Sequence, residues 1–113
     1  MDLNLVVLAG HAALEPEIRT FESGRSMLRL LVTVRSTEPN RRIDVIPVVR
    51  WNPTPEEIPS EPVKGCPVWV AGSVQRRFWS ADSQRQSRIE LVAHEIVYGE
   101  REEEHSQQDA AAS

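Results

Sequence analysis

Two apolar runs, each broken by a single glycine, limit the folds that are open to this chain. LNLVVLA, residues 3–9, stops at Gly10, and VWVAGSVQRRFW, residues 68–79, carries Gly72 near its middle. Both runs are rich in β-branched residues, and a glycine inside such a strand is typical of a bulge or a sharp bend. Long strands that bend at glycine occur where a small barrel turns its corners, so the sequence favours a closed β-barrel.

Three further stretches predict the remaining strands. MLRLLVTVRS, residues 27–36, alternates apolar and polar side chains, which is typical of a half-buried strand. Residues 43–51 are β-branched but contain Pro47, which lacks a backbone donor and therefore indicates an edge or a bulge. Residues 87–99 alternate again and predict the last strand of the fold.

Polar segments between these strands predict their connections. The first strand is expected to continue past its bend through Ile18 and Phe21, and the ESG at residues 22–24 is expected to form a hairpin turn. Residues 37–41 predict a short second turn, and residues 80–86 predict a polar turn before the last strand.

The proline-rich segment at residues 52–65 is expected to connect the third and fourth strands. Thr54 and Glu57 match a capping box with Pro55 at the first helical position, so one short helical turn is predicted there. Five strands with this turn between the third and the fourth predict an all-β, five-stranded OB-fold barrel of Greek-key topology. An SH3-like barrel is the alternative, although it more often has shorter strands.

The net charge of the 113-residue chain comes from its last fourteen residues. Residues 1–99 are expected to form one domain, and residues 100–113 an acidic, disordered tail. The tail carries five acidic residues against Arg101, which accounts for the net charge of -4. Since 17 minus 5 acidic and 13 minus 1 basic residues remain, the body is neutral, and it presents a positive surface only if its arginines segregate to one side.

The residues that usually carry catalysis or bind metals are sparse. The single Cys66 has no partner for a disulfide or a zinc site and is expected to be a small buried residue, and no nucleophile motif is present. We therefore expect no enzyme, no cofactor and no metal. No apolar run is long enough to span a bilayer, so we expect no membrane contact and a cytoplasmic location.

The order of the motifs resembles that of the bacterial single-stranded DNA-binding proteins (SSB), as a divergent paralogue. That family has a similar first strand, a Lys-Gly before its fourth strand, and a Gly-x-Leu-x-x-Arg-x-Trp element. The segments that carry the resemblance are LNLVVLAGHAALEPEIR at 3–19, SG at 23–24, VVRW at 48–51, KGCPVWVAGSVQRRFW at 64–79 and ELVAHEI at 90–96.

The resemblance implies a nucleic-acid-binding site. It places Trp79 at the tryptophan that stacks on a base, Arg77 at the phosphate-contacting arginine, and Trp51 at an aromatic position of the third strand. We also expect contacts from three neighbouring arginines, namely Arg35, Arg50 and Arg76. Single-stranded DNA is the implied partner, bound without sequence preference during replication, repair or recombination, by a homotetramer or a dimer that also meets replication or repair proteins.

Several positions depart from the family pattern. A stacking tryptophan is replaced by Val45 and a basic residue by Pro47, and the hairpin after the second strand is reduced to residues 37–42. These losses leave an alternative function open, that of an OB-fold protein-interaction subunit of primosome type with weak or lost DNA binding. Trp69, between Val68 and Val70, is expected in the core or at a subunit interface.

Overall fold

The computed structural model describes residues 1–102 and shows an all-β chain with one short helix. Residues 103–113, which make up most of the predicted acidic tail, lie outside the described residues. The strands are β1 (Val6–Ala12), β2 (Glu17–Thr20), β3 (Ser26–Ser36), β4 (Arg42–Trp51), β5 (Pro67–Ala81) and β6 (Gln84–Tyr98), and a 3₁₀ helix (Pro55–Glu57) precedes β5.

The strands close into a barrel because β1 has two neighbours. The sheet order is β1-β5-β6-β4-β3-β2, and β1 also pairs with β3 through His11 and Ala12. The β4–β6 pairing is parallel, whereas all other pairings are antiparallel. With β1 and β2 as two halves of one long first strand, this is the five-stranded OB-fold that the sequence predicts, and not the SH3-like alternative.

Both predicted bends are close approaches of two backbones. A Cβ on Gly10 would collide with the carbonyl oxygen of Thr33, where β1 passes from β5 to β3. A Cβ on Gly72 would collide with the carbonyl oxygen of Val92, next to a register shift in the β5–β6 ladder. Glycine is therefore required at both corners because no side chain fits between the strands.

The core is filled by alternate residues of the strands. Cys66 is 4% exposed and packs there, as predicted. Trp69, by contrast, is 48% exposed between the fully buried Val68 and Val70, so the core position is wrong and the alternative, a subunit interface, stays a prediction. The most deeply buried side chains are Leu28, Leu30, Val32, Val48, Val68 and Val70.

The ends of three strands differ from the sequence prediction. The first strand begins at Val6, and it is interrupted between Ala12 and Glu17 before it continues as β2. The predicted turn at residues 80–86 is too long, because the β5–β6 ladder continues to Ala81 and Gln84. Only two residues, both with positive φ, connect β5 and β6, as in a tight hairpin. Beyond the barrel both faces of these two strands are exposed to solvent, so their sequence is polar and lacks the apolar alternation that predicts a strand.

Pro47 and the helical turn follow their predictions. On the side away from β3, β4 pairs with β6 only at Val48 and Val49, so Pro47 stands where β4 still has a free edge and its missing N–H costs no ladder bond. The 3₁₀ helix begins after Thr54, whose N–H donates to Oε1 of Glu57 at 2.8 Å. No helix within residues 1–102 is long and apolar enough to cross a membrane.

Two carboxylates fasten the proline-rich connection to the barrel. Glu57, 4% exposed, accepts hydrogen bonds from Nε of Arg50 and from the N–H groups of Thr54 and Ile96. Burial alone raises the pKa of Glu57, but these three donors outweigh it and hold the pKa below its ordinary value. Glu15 accepts from the N–H groups of residues 63 and 64, which lower its pKa as well.

We expect stability to fall in acid because of these two carboxylates. Their pKa values are lower in the folded than in the unfolded chain, so the unfolded chain binds more protons as the pH drops below about 4.3, the ordinary glutamate value. Urea unfolding of Glu57→Gln should show a lower stability at pH 7 and a shallower loss between pH 5 and pH 3 than the wild type. Glu56→Gln, at an exposed neighbour, should retain the wild-type profile, and an unchanged acid profile in Glu57→Gln would contradict this account.

Candidate nucleic-acid interface

The candidate site is a groove on the outer face of the barrel. Residues 74–90 of the β5–β6 hairpin, which we name the arm, extend beyond the barrel because β5 loses β1 as a neighbour after Gly72. The arm forms one wall of a cavity of about 460 Å³, which we name the front groove. Its lining residues are Arg19, Phe21, Met27, Arg29, Pro47, Val49, Arg77, Trp79, Arg88, Ile89 and Glu90.

Strand alternation explains why these side chains meet. Side chains two apart share one face of a strand, so Arg77 and Trp79 of β5 project to the same side of the arm. Their partners in the ladder, Arg88 and Gln86 of β6, face the same way. Across the barrel, the positions of β3 that alternate with its buried leucines bring Arg29 to the opposite wall.

Aromatic rings lie at both ends of the front groove. Phe21 and Trp51 form a pair with ring centroids 5.8 Å apart and planes inclined by 33°. Trp79 stands on the arm and is 39% exposed, so a substantial part of this side chain is accessible to solvent. A flat ring with a free face is the platform on which an unpaired base stacks.

Arginines surround these rings. The guanidinium carbon of Arg25 lies 4.2 Å from the Trp51 ring centroid, and that of Arg77 lies 5.9 Å from the same ring on the other side of the groove. Arg88 lies 5.4 Å from the Trp79 ring. Each of these contacts leaves part of a planar guanidinium free to bind phosphate.

One carboxylate orients two of the arginines. Glu90, whose side chain is 10% exposed, lies 3.6 Å from Arg77 and 3.3 Å from Arg88. The lining also contains Arg19 and Arg29, so four cations face a single acidic side chain. Four of the eleven arginines in residues 1–99 therefore line the front groove, which makes this surface locally positive although the body as a whole is neutral.

The structure brings together three of the six residues predicted for the site. Trp79 and Arg77 line the front groove, and Trp51 borders it, with its ring paired to that of Phe21 and 5.9 Å from the guanidinium of Arg77. Arg76 lies on the opposite face of the arm, where its Nη1 donates to Oγ of Ser87 at 3.2 Å. Arg35 is on the same outer face of β3 as Arg29, but it lies six residues further along, which is about 20 Å in an extended strand, and it is not among the residues that line the front groove.

Arg50 has a structural partner. Its side chain is 22% exposed and its Nε donates to the buried carboxylate of Glu57 at 2.9 Å. Because it alternates with Val49 and Trp51 of the groove side, it points away from the front groove. We therefore leave Arg50 out of the proposed site.

The sequence reasoning missed Phe21, Arg19 and Arg25 as site residues. Phe21 was expected only as a continuation of the first strand, although Arg19 lies two residues before it, with its guanidinium 5.2 Å from the ring. The same arginine-x-aromatic spacing occurs in Arg77 and Trp79, and this repeated pattern is the signal that would have found the pair. Arg25 lies in no such pattern. It reaches Trp51 only because the β2–β3 hairpin folds, so no local sequence signal indicates this contact.

The comparisons with known proteins agree with this architecture. An OB-fold barrel with rings and arginines on one outer face belongs to a class of barrels that bind oligonucleotides or oligosaccharides. Residues 3–98 match the model of the single-strand binding protein family, and the chain belongs to that family.

Individual relatives cover most of the chain. It is 32% identical over 80 residues to single-stranded DNA-binding protein 1 of a Nostoc species, covering 71% of this chain and 67% of the relative. It is 29% identical over 108 residues to single-stranded DNA-binding protein 1 of Clostridium acetobutylicum, covering 90% and 98% of the two chains. A solved structure, that of the Plasmodium falciparum SSB complex with ssDNA, superposes with a TM-score of 0.66 at 21% identity over 88% of this chain and 97% of that one.

We expect the two arginines with different surroundings to respond differently to substitution. Arg50→Gln removes the charged partner of a buried carboxylate and should lower the free energy of unfolding by about 1–3 kcal/mol. Arg77→Gln removes a half-exposed guanidinium 3.6 Å from Glu90 and should change it by less than about 1 kcal/mol. Urea denaturation at pH 7 measures both, and equal losses would show that Arg77 also has a mainly structural role.

Proposed function

We propose that this protein binds single-stranded DNA without sequence preference and without catalysis, in replication, repair or recombination. The observation that carries the proposal is the front groove, where Trp79 and the Phe21–Trp51 pair are interleaved with arginines. Every base has a face that can stack on such rings, and every phosphate is the same anion. The combination therefore tolerates any sequence.

The geometry supports different roles for Trp79 and Arg77 in this proposal. Trp79, 39% exposed, offers its ring to a base, whereas Arg77 shares its strand face and lies 5.9 Å from the Trp51 ring, so it is placed to contact the phosphates of a bound strand. Glu90 keeps the guanidinium in place before DNA arrives and therefore reduces the entropy that is lost on binding.

A protein-interaction role is the second candidate function. Two outer-face positions of β4, Ile43 and Val45, are 65% and 53% exposed and carry no ring. The connection between β3 and β4 is short as well, at residues 37–41. A partner protein would fit these apolar positions, and its binding would respond weakly to salt, whereas DNA binding responds steeply.

We also propose that the protein works as a homo-oligomer. Within residues 1–102, Val6 to Gly10 of β1 pair on one side only, so their other edge is open to a second copy. The adjoining outer face of β1, β5 and β6 exposes Val7, Trp69 and Val97, which are 65%, 48% and 46% exposed. One barrel covers only a short stretch of DNA, so linked subunits increase the affinity. We also propose a cytoplasmic location, because the single-stranded DNA that replication and repair expose is found there.

Substitution of Trp79 tests the stacking role. Titration of fluorescein-labelled oligo(dT) with Trp79→Ala should show binding weaker by about 1–3 kcal/mol, the contribution of one stacked base, while Trp79→Phe should retain most of the affinity. Tight wild-type binding with quenched tryptophan emission is expected alongside. Unchanged affinity in Trp79→Ala would remove the ring from the site.

The salt dependence of the same titration separates the two candidate functions. The slope of log affinity against log salt should decrease in magnitude by about 0.7 in Arg77→Gln for each phosphate that Arg77 neutralises in the wild type. The Arg50 side chain points away from the groove, so Arg50→Gln should keep the wild-type dependence of log affinity on log salt, measured on the folded protein. If the wild type does not bind oligo(dT) even at low salt, the protein-interaction role takes precedence.

The oligomer is tested by a charge on the exposed outer face of β1. Val7→Glu places a carboxylate on the exposed apolar face of β1 and should shift the sedimentation-equilibrium mass toward the monomer, because the contact would bury that charge. Val45→Glu adds the same charge on another exposed strand and should leave the mass unchanged. A wild type that already sediments as a monomer would contradict the proposal.

A further inference from the structure

The arm has a second face that the front groove does not use. Arg76 and Phe78 of β5 alternate with Arg77 and Trp79 and therefore project to the other side. Their partners in the β6 ladder are Ile89 for Arg76 and Ser87 for Phe78, and Arg85 follows opposite Ser80. We name the surface formed by Arg76, Phe78 and Arg85 the back face of the arm.

Phe78 does not serve the packing of the barrel. It is 51% exposed, whereas the large core side chains are less than 2% exposed. The guanidinium carbon of Arg85 lies 4.5 Å from its ring centroid, and Arg76 is tied to the neighbouring Ser87 by one hydrogen bond of 3.2 Å. The back face thus repeats the elements of the front groove, a partly open ring with two arginines beside it.

The charged residues at the strand positions of the back face are both arginines, Arg76 and Arg85. No aspartate or glutamate lies among its strand positions, which are residues 74, 76, 78, 80, 85, 87 and 89; Ile89 also borders the front groove, and Asp82 lies in the turn of the hairpin. The front of the arm differs, since Glu90 there neutralises part of the charge of Arg77 and Arg88. A surface with an open ring, two cations and no carboxylate complements an unpaired nucleotide and its phosphates.

A bound single strand of nucleic acid can pass from one face of the arm to the other over the edge of β5. The side-chain amide of Asn4 bonds to the N–H and to the carbonyl of Val74 and so completes the pairing of β5 on that side. From Gln75 to Ala81, within residues 1–102, that edge of β5 has no neighbouring strand. Nothing in this part of the chain therefore separates the front groove from the back face.

We propose that the back face of the arm is a second binding subsite for single-stranded nucleic acid, where a base stacks on Phe78 and phosphates contact Arg76 and Arg85. The proposal rests on the proposed function, because the strand first fills the front groove and then continues over the free edge of β5. A second copy of this chain is a poorer occupant. In a two-fold contact, Arg76 and Arg85 of one chain would face the same two arginines of the other chain, and no carboxylate of the back-face strand positions would separate these like charges.

The test compares a short and a long oligonucleotide on Phe78→Ala. A strand of about 8 nucleotides lies within the roughly 4–16 that one OB-fold covers, and a strand of about 30 extends beyond them. We expect Phe78→Ala to bind the long oligo(dT) roughly 5- to 150-fold more weakly than the wild type does, and the short one equally well. Trp79→Ala should weaken both.

Matched variants separate stacking from bulk and charge. Phe78→Leu keeps an apolar side chain without a ring and should lose long-oligonucleotide affinity like the alanine variant, whereas Phe78→Trp should restore it and report quenching with the long strand only. Arg85→Gln should reduce the salt slope for the long strand by about 0.7 for each phosphate that Arg85 neutralises, and leave that for the short strand unchanged. Urea unfolding of each variant checks that the exposed substitutions leave the barrel intact.

Three outcomes would overturn the proposal. Equal affinities of Phe78→Ala and the wild type for the long strand would remove the subsite, and an equal loss for both strands would place the effect in the front groove. Unchanged DNA binding together with a lower sedimentation mass would make the back face a contact between copies of the chain. If the wild type binds neither strand, the proposed function itself has failed, and that result is seen before any variant is compared.

Discussion

The rest of the structure depends on the pairing of one strand with two partners. β1 joins β5 along Val6 to His11 and then β3 at His11 and Ala12, and this switch closes the barrel. Gly10 makes the switch possible because any Cβ there would collide with the backbone of β3, and Gly72 does the same for the bend of β5 against β6. Closure places the outer faces of β3 and β4 opposite the arm, so the groove exists only because the barrel does.

The arm shows how the period of a β-strand produces two surfaces from one short sequence. In Arg76 to Trp79, two arginines are followed by two rings, so each face of the strand receives one arginine and one ring, and the ladder with β6 adds Arg88 to the front and Arg85 to the back. The faces differ in their electrostatics because Glu90 occupies the front alone. Strand alternation therefore separates this basic and aromatic segment into two surfaces. On the front face the arginines pair with Glu90, and on the back face Arg76 and Arg85 have no carboxylate among the strand positions.

Some residues were predictable because a local pattern determines them. The Arg77 and Trp79 pair was found from strand alternation and from the family's motif, and the helical turn after Thr54 follows from its capping box. Arg50 illustrates the opposite case. Its position on a strand next to Trp51 is visible in the sequence, but its partner Glu57 becomes a neighbour only when the connection folds back against the barrel. The length of the arm was missed for a related reason, because strands exposed on both faces lack the apolar alternation that marks a buried strand.

The sequence by itself predicted the barrel, its two glycine corners and the Arg77 and Trp79 pair of the proposed site, because each leaves a recognisable pattern within a short stretch of the chain, namely strand alternation, a glycine inside an apolar run, and an arginine two residues before a tryptophan. The tertiary structure alone decided that Phe21, Arg19 and Arg25 join Trp51, that Trp69 faces outward, and that Phe78 is half exposed. These outcomes depend on contacts between distant strands and on which face of a strand the closed barrel covers. Strand alternation tells which residues share a face, and only closure determines whether that face is buried or free to bind.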